Sequence, residues 1–288
     1  IRDRLRSRGL GDVYKRQMLN GRLNLIGMIV PYVSSPFHAQ VVQVIEHTLA
    51  ENGFKMLLCN SANRPELERS YIDMLRRNMV DGVIVNSLNI GAEAYAEMGL
   101  SLVGIDCDLG EASVQIASDS YSIGELATRR LIDDGCSRIL CLRSNSRMRM
   151  PANKRTDAYL DVVEQAGLPA LVREVEFVKP DDEKSAVVAK ILDENPDIDG
   201  IFAGDDTMAA ICLNVMKQRG LSAPGDIKVV GADGARRTMT FMPDLTTVRQ
   251  DIDRIGELAA QSIIALINGE KPESNIKLPV ELIEGKTA

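Results

Sequence analysis

The chain has 288 residues, long enough for one large or two ordinary domains with cores of their own. Its 45% hydrophobic and 26% charged residues are ordinary for a globular protein, and no run approaches the unbroken apolar length of a membrane span. The net charge of −7 hides an asymmetry, because residues 1–24 hold seven basic and two acidic side chains and the remainder therefore carries −12. A body that acidic does not hold a polyanion through its own surface, so any nucleic-acid contact has to come from a segment outside it.

The chain changes character at Met18. Residues Asp12 to Gln17, "DVYKRQ", are what the codons GAT GTG TAT AAG AGA CAG encode, the end sequence that transposon-based library preparation joins to DNA fragments. Residues 1–17 are therefore expected to be a translated adapter with no part in the fold. The other reading, a basic arm that binds nucleic acid, rests on charge alone.

From Asn24 onward, short β-rich runs alternate with helical patterns. Strands are expected at Leu25 to Val30, Lys55 to Leu58, Gly82 to Val85, Ser101 to Ile105, Arg138 to Leu142, Gly200 to Ala203 and Lys228 to Val230. The first helix falls between the first two strands, where Val41, Val42, Ile45 and Leu49 recur at helical spacing and Gly53 closes the run. Others are expected over Pro65 to Arg77, Ile123 to Gly135, Lys154 to Gly167, Asp181 to Glu194 and Asp205 to Gly220. Such alternation predicts an α/β protein with parallel sheets covered on both faces. The strands are too many for one comfortable open sheet, and no Pro/Ser-rich linker separates two domains, so two lobes sharing several chain crossings are expected.

In open α/β sheets, ligands lie beyond the carboxyl ends of the strands. After the first strand comes "PYVSSPFHA", where Pro36 suits the first turn of a helix capped by Ser34 or Ser35 and where Phe37 and His38 equally suit a cleft lining. Asp106 to Asp108 form a turn or offer acceptors. In "GDDTMAA" one of Asp205 and Asp206 caps a helix, and the other is left to point into the cleft. Asp233 and Gly234 form a turn or, again, bring a carboxylate to the same crevice. Carboxylates there suit a ligand rich in hydroxyl donors, and Arg155, otherwise a solvated surface charge, supplies a donor fork that balances them.

Catalytic patterns are missing. The histidines are His38 and His47, and no G-x-S-x-G, H-E-x-x-H, G-x-x-x-x-G-K-[ST] or G-x-G-x-x-G occurs, so no enzyme, cofactor or metal is expected. The five cysteines, Cys59, Cys107, Cys136, Cys141 and Cys212, are odd in number, include no C-x-x-C and lie in or beside apolar runs, which fits buried thiols and a reducing cytoplasm.

The stretch "LNGRLNLIGMIVPYVSSPFHAQVVQVIEHTLAENGFKMLLCNS" resembles the start of the effector-binding core of LacI/GalR-family transcriptional regulators. The likeness continues in order through "ERSYIDMLRRNMVDGVIV", "IASDSYSIGELATRRLIDDGCSRI", "IFAGDDTMAA", "IKVVGADG" and "MPDLTTVRQDIDRIGELAAQSIIALING", and so covers residues 18–288. It implies a periplasmic-binding-protein-like fold of two flavodoxin-like lobes with three chain crossings, near Asp119, Thr247 to Gln250 and Leu278. One lobe is then 25–119 plus 250–279 and the other 120–249 plus 280–288. Residues 18–24 are, on this resemblance, the remnant of a hinge junction whose DNA-binding headpiece is missing from the chain.

By matching motifs, the resemblance places effector contacts on Phe37, His38, Asp106, Arg155, Asp205, Asp233 and Gln250. It further implies a cytoplasmic homodimer, with helices near Met74 and Asp251 at the interface, that controls operator DNA through the headpiece. Ser35, His38 and Cys136 depart from the residues usual in the family. Loss of the second aromatic at His38, which instead donates a hydrogen bond, favours a small sugar or polyol over a purine. A periplasmic sugar-binding protein of an ABC transporter shares the fold and is the rival reading.

Overall fold

A computed structural model describes residues 22–77, 80–87, 92–96, 98–110, 113–144, 151–176 and 179–288. The expectations for the adapter segment 1–17 and for residues 18–21 of the hinge remnant lie outside the described residues.

The first sheet has the order β11-β5-β4-β3-β1-β2, with β1 Leu25–Val30, β2 Lys55–Asn60, β3 Gly82–Val85, β4 Ser101–Ile105, β5 Val114–Ser118 and β11 Asn275–Leu278. The second has the order β12-β10-β9-β8-β6-β7, with β6 Ile139–Ser144, β7 Leu171–Val175, β8 Gly200–Phe202, β9 Lys228–Asp233, β10 Thr246–Gln250 and β12 Val280–Ile283. All pairings are parallel except β10 with β12, which run antiparallel with Val248 opposite Leu282. There a chain entering from the other sheet lays down a closing edge strand in the direction it arrives.

Helices α1 Pro36–Glu51, α2 Pro65–Arg77, α3 Ala92–Ala96 and α9 Ile252–Ile267 belong with the first sheet. Helices α4 Ser120–Asp133, α5 Lys154–Gln165, α6 Asp181–Glu194, α7 Asp206–Gln218 and α8 Arg236–Phe241 belong with the second. Both faces of each sheet are covered, and the period of two along the strands sorts their side chains between them. On β1, Ile26, Met28 and Val30 join Val41, Ile45 and Leu49 of α1 and Ile255, Ala259 and Ile263 of α9 in one core cluster, while Ile29 joins Leu75 of α2 in another. The second sheet likewise has one core on each face, with Leu140 and Ile201 on one side and Cys141 and Phe202 on the other.

The chain passes between the sheets three times: from β5 into α4, from β10 into α9, and from β11 into β12. Two of these passages are tied together at Asp119, whose N–H donates to the Leu278 carbonyl at 2.8 Å and whose carboxylate meets Lys277 Nζ at 2.7 Å. Asp119 also caps α4 by accepting from the Ser122 N–H, and this is why α4 begins at Ser120 and not at the first apolar residue, Ile123. Asp251 caps α9 in the same way, accepting from the Arg254 N–H. All five cysteines are free and buried.

Candidate functional site

The carboxyl ends of both sheets carry buried polar atoms that have no hydrogen-bond partner among the described residues. Along the first sheet these include His38 Nδ1, Asp106 Oδ1 and Ser118 Oγ, and along the second Arg155 Nε and Gln250 Oε1. Buried polar groups are ordinarily satisfied, so a convergence of exceptions calls for a partner.

Pro36 opens α1 with its fixed φ, but the expected serine cap is not made: Ser35 occupies the N-cap position without a side-chain bond. Phe37, in the first turn, is 6% exposed and belongs to the core around β1 and α1. It meets His38 in a T-shaped arrangement, ring centroids 5.3 Å apart.

The state of His38 follows from its neighbour. Asn86, just beyond β3, donates its Nδ2 to the Ile105 carbonyl at 2.9 Å, which turns its Oδ1 toward His38 Nε2 at 3.1 Å. A carbonyl only accepts, so the amide orientation is fixed and Nε2 carries the proton. Burial holds the ring's pKa down to about 4, opposed by the Asn86 bond. At neutral pH, Nε2 therefore donates to Asn86 and Nδ1 is left as an acceptor.

Asp106 sits past the end of β4 in the left-handed region (φ 51), held by its N–H to the Ile116 carbonyl at 3.0 Å. Burial raises its carboxyl to about 6, and the Arg155 charge from the other lobe pulls it back down. Arg155 lies in the first turn of α5, which packs so closely on α4 that a Cβ on Gly124 would stand 2.0 Å from the Arg155 carbonyl oxygen. Its Nη1 donates to the Gly204 carbonyl at 2.6 Å and lies 3.6 Å from Asp233 Oδ1, both side chains being mostly buried.

The pair Asp205 and Asp206 divides its work differently from the expectation. Asp205 caps α7, its Oδ1 accepting from the Met208 N–H at 2.7 Å. Asp206 turns into the lobe, its Oδ1 accepting from Thr247 Oγ1 at 2.6 Å and its Oδ2 from the Gly234 N–H at 2.8 Å. It is thus a strut between α7, the β9 turn and β10, not a free cleft carboxylate. Burial pushes Asp206 up to about 7, and it raises Asp205 as well.

Asp233 ends β9 with φ 113, and its Oδ1 accepts from Gln250 Nε2 at 2.7 Å. Burial raises its pKa well above the ordinary carboxylate range, with Arg155 opposing and the Asp206 and Asp205 charges adding. Gln250, 3% exposed at the end of β10, is left with Oε1 unpaired.

Asp205, Asp233, Gln250 and Arg155 therefore share one end of the second sheet, and Asp106 and His38 share the facing end of the first. Sequence reasoning missed Asn86 and Ser118, although the strand-end rule applied to "GVIVN" and "VQIAS" would have found both. Just beyond Asp233 the lobes touch. The Arg236 N–H donates to Gln40 Oε1 of α1 at 2.9 Å, and Arg236 Nη1 and Gln40 Nε2 both reach the Asp253 carboxylate of α9. Among the described residues no cluster of His, Cys, Asp or Glu is arranged to hold a metal ion, and no helix is long and apolar enough to cross a membrane.

Residues 24–286 match the family model described as periplasmic binding proteins and sugar binding domain of LacI family. The sucrose operon repressor of Pediococcus pentosaceus is 34% identical over 275 residues, covering 95% of this chain and 84% of that protein. The ribose operon repressor of Halalkalibacterium halodurans is 29% identical, covering 94% and 82%. Among solved structures, a periplasmic binding protein/LacI transcriptional regulator from Alkaliphilus metalliredigens complexed with D-xylulofuranose superposes with a TM-score of 0.81 at 27% identity, covering 92% of this chain and 99% of that one. A complex of the transcriptional regulator CelR with cellobiose gives 0.82 at 25% identity, covering 96% and 89%.

Proposed function

Because the chain belongs to the family of periplasmic binding proteins and LacI sugar-binding domains, we propose that it is the effector-sensing core of a LacI-type transcriptional regulator that takes a small sugar or polyol between its lobes. One observation carries the ligand class: of the buried strand-end atoms without a partner among the described residues, His38 Nδ1, Asp106 Oδ1 and Gln250 Oε1 accept, Arg155 Nε donates, and the Ser118 hydroxyl can do either. A polyhydroxylated molecule supplies many O–H donors, and a few of its oxygens accept from Arg155.

Phe37, His38, Asp106, Arg155, Asp205, Asp233 and Gln250 form the proposed contact set, Asp205 through whichever acceptor capacity its cap leaves free. A ligand that bridges Asp106 on one lobe and Arg155 and Asp233 on the other binds one lobe arrangement better than another. That difference is what an effector needs to shift a conformational population. The lobes are taken as 25–119 with 250–279 and 120–249 with 280–288, and the arrangement is relayed through a homodimer to operator DNA by a headpiece. No reaction is assigned to the site, and the protein acts in the cytoplasm.

The likeness to operon repressors supports a regulator over a transporter's binding protein, and their names make sucrose and ribose the first sugars to assay. Isothermal calorimetry of residues 18–288 against a panel of sugars and polyols, with purine bases as controls, tests the reading. Binding of a sugar but no base is expected, and tight binding of a base with no response to any sugar would overturn it. Sedimentation at micromolar concentration tests the dimer.

A further inference from the structure

We propose that Gln40, Arg236 and Asp253 form a clasp that sets the angle between the lobes, and that these three are positioning residues for the effector, acting on it through the lobe arrangement. The proposal rests on the sugar-binding reading above for its ligand.

The seat of the clasp is built within the first lobe. Gln40 lies on α1 and Asp253 in the first turn of α9, and Gln40 Nε2 donates to Asp253 Oδ1 at 2.9 Å. That bond fixes which way the glutamine amide points, so its Oε1 and the second carboxylate oxygen are left to accept. Arg236, from the second lobe, meets both. Its N–H donates to Gln40 Oε1 at 2.9 Å and its Nη1 to Asp253 Oδ2 at 3.1 Å, which closes a ring of three bonds. The Arg236 N–H is the first of helix α8, whose N-cap residue, Ala235, makes no side-chain cap. The opening N–H groups of a helix need a partner from outside it, and here the facing lobe supplies one. Apolar contact joins the lobes at the same point. Ala235 is 1% exposed and belongs to the core cluster of the first lobe, with Phe37 and Val41 of α1 and Ile252 and Ile255 of α9.

The clasp is coupled to the cleft by its position in the chain. Asp233, Gly234, Ala235 and Arg236 are consecutive. The Gly234 N–H donates to Asp206 Oδ2 at 2.8 Å, and a Cβ on Gly234, which has φ 62, would stand 2.7 Å from the Arg249 Cβ, so the link has little play. The carboxylate assigned to the ligand and the residue that engages the other lobe are thus two ends of one stiff segment. With the clasp closed, the Arg155 charge bears on Asp106 across the cleft, the arrangement that a ligand held from both lobes requires. Apparent affinity scales with the fraction of molecules in the competent arrangement, so a contact that raises this fraction tightens binding without touching the ligand. The side chains of Arg236 and Asp253 are 61% and 41% exposed, which makes theirs a weak bond that yields when the lobes move.

Arg236→Ala, Asp253→Ala and the double variant of residues 18–288 test this, with thermal melts to show that each folds. Small-angle X-ray scattering without sugar is expected to give every variant a larger radius of gyration than the parent, and saturating sugar should restore the parental value. By calorimetry with the tightest sugar of the panel, each single variant should bind about three- to fivefold more weakly. The double variant should bind no more weakly than Asp253→Ala alone, because both substitutions break one contact. Unchanged scattering, parental affinity in both single variants, or losses that multiply in the double variant would overturn the clasp and leave the sugar reading intact. No sugar bound by the parent would overturn the sugar reading, and the clasp would then stand or fall on the scattering.

Discussion

Gln250 Nε2 donates to Asp233 Oδ1 at 2.7 Å, joining the last residue of β10 to the last residue of β9 and fixing which end of the glutamine amide is free. The free end is an acceptor with no partner among the described residues. Gln250→Leu keeps the volume while removing both roles. It is expected to weaken sugar binding about 10- to 100-fold, the loss of one hydrogen bond to the ligand and one that positions a carboxylate. Calorimetry with the best ligand of the panel measures it.

Asp106 predicts how binding varies with pH. Its pKa in the free protein is raised to about 6, and ligand hydroxyls favour the ionised form that accepts from them, so binding lowers that pKa. Affinity should therefore be level above pH 7 and fall as the pH drops through 6, becoming about tenfold weaker by pH 5. His38 stays neutral across this range, with its pKa at about 4, and contributes nothing to the fall. Asp106→Asn should reduce the fall without abolishing it, because burial also raises the carboxyls of Asp205 and Asp233 in the same site, and titrations between pH 5 and pH 8 with both proteins decide the matter.

Asp206 makes the matching prediction for stability. Its folded pKa is raised to about 7 from an ordinary 3.8, so between those values the folded state holds a proton that the unfolded state releases. Its contribution is then fully present below about pH 4 and is lost as the pH rises through 7. Asp206→Asn keeps an oxygen for the Gly234 N–H and offers Thr247 a donor, its hydroxyl turning to accept. The variant should lose less melting temperature than the parent between pH 5 and pH 8, as read by circular dichroism.

The alternation of strands and helices was legible because apolar runs and amphipathic periods are local. Five strands were not, β5, β7, β10, β11 and β12: β7, "LVREV", and β11, "NIKL", for example, are short and half polar, with strand identity coming from the neighbours they pair with. Most of the candidate site was legible through the strand-end rule, which depends on topology alone. Side-chain direction was not legible. The sequence offers two adjacent aspartates and no sign that Asp206 would be consumed by Thr247 and Gly234, because those partners arrive from β10 and the β9 turn. The role of His38 hinged on Asn86, 48 residues away, and on the carbonyl that orients it.

Gly124 marks where the site depends on packing. Its missing side chain lets α5 approach α4 at the residue that aims Arg155 into the cleft. Gly124→Ala should cost about 1–3 kcal/mol of stability through overpacking and weaken sugar binding by displacing Arg155. Denaturant unfolding gives the first effect and calorimetry the second.

The central claim is that one hydroxylated ligand is gripped from both lobes at once. The most direct measurement is calorimetric affinity at pH 7.5 for Asp106→Ala and Asp233→Ala, one from each facing sheet, with melting curves to show that both fold. The account predicts that each substitution alone lowers affinity at least tenfold. Parental affinity in either variant would mean that its lobe does not hold the ligand, and would contradict the claim.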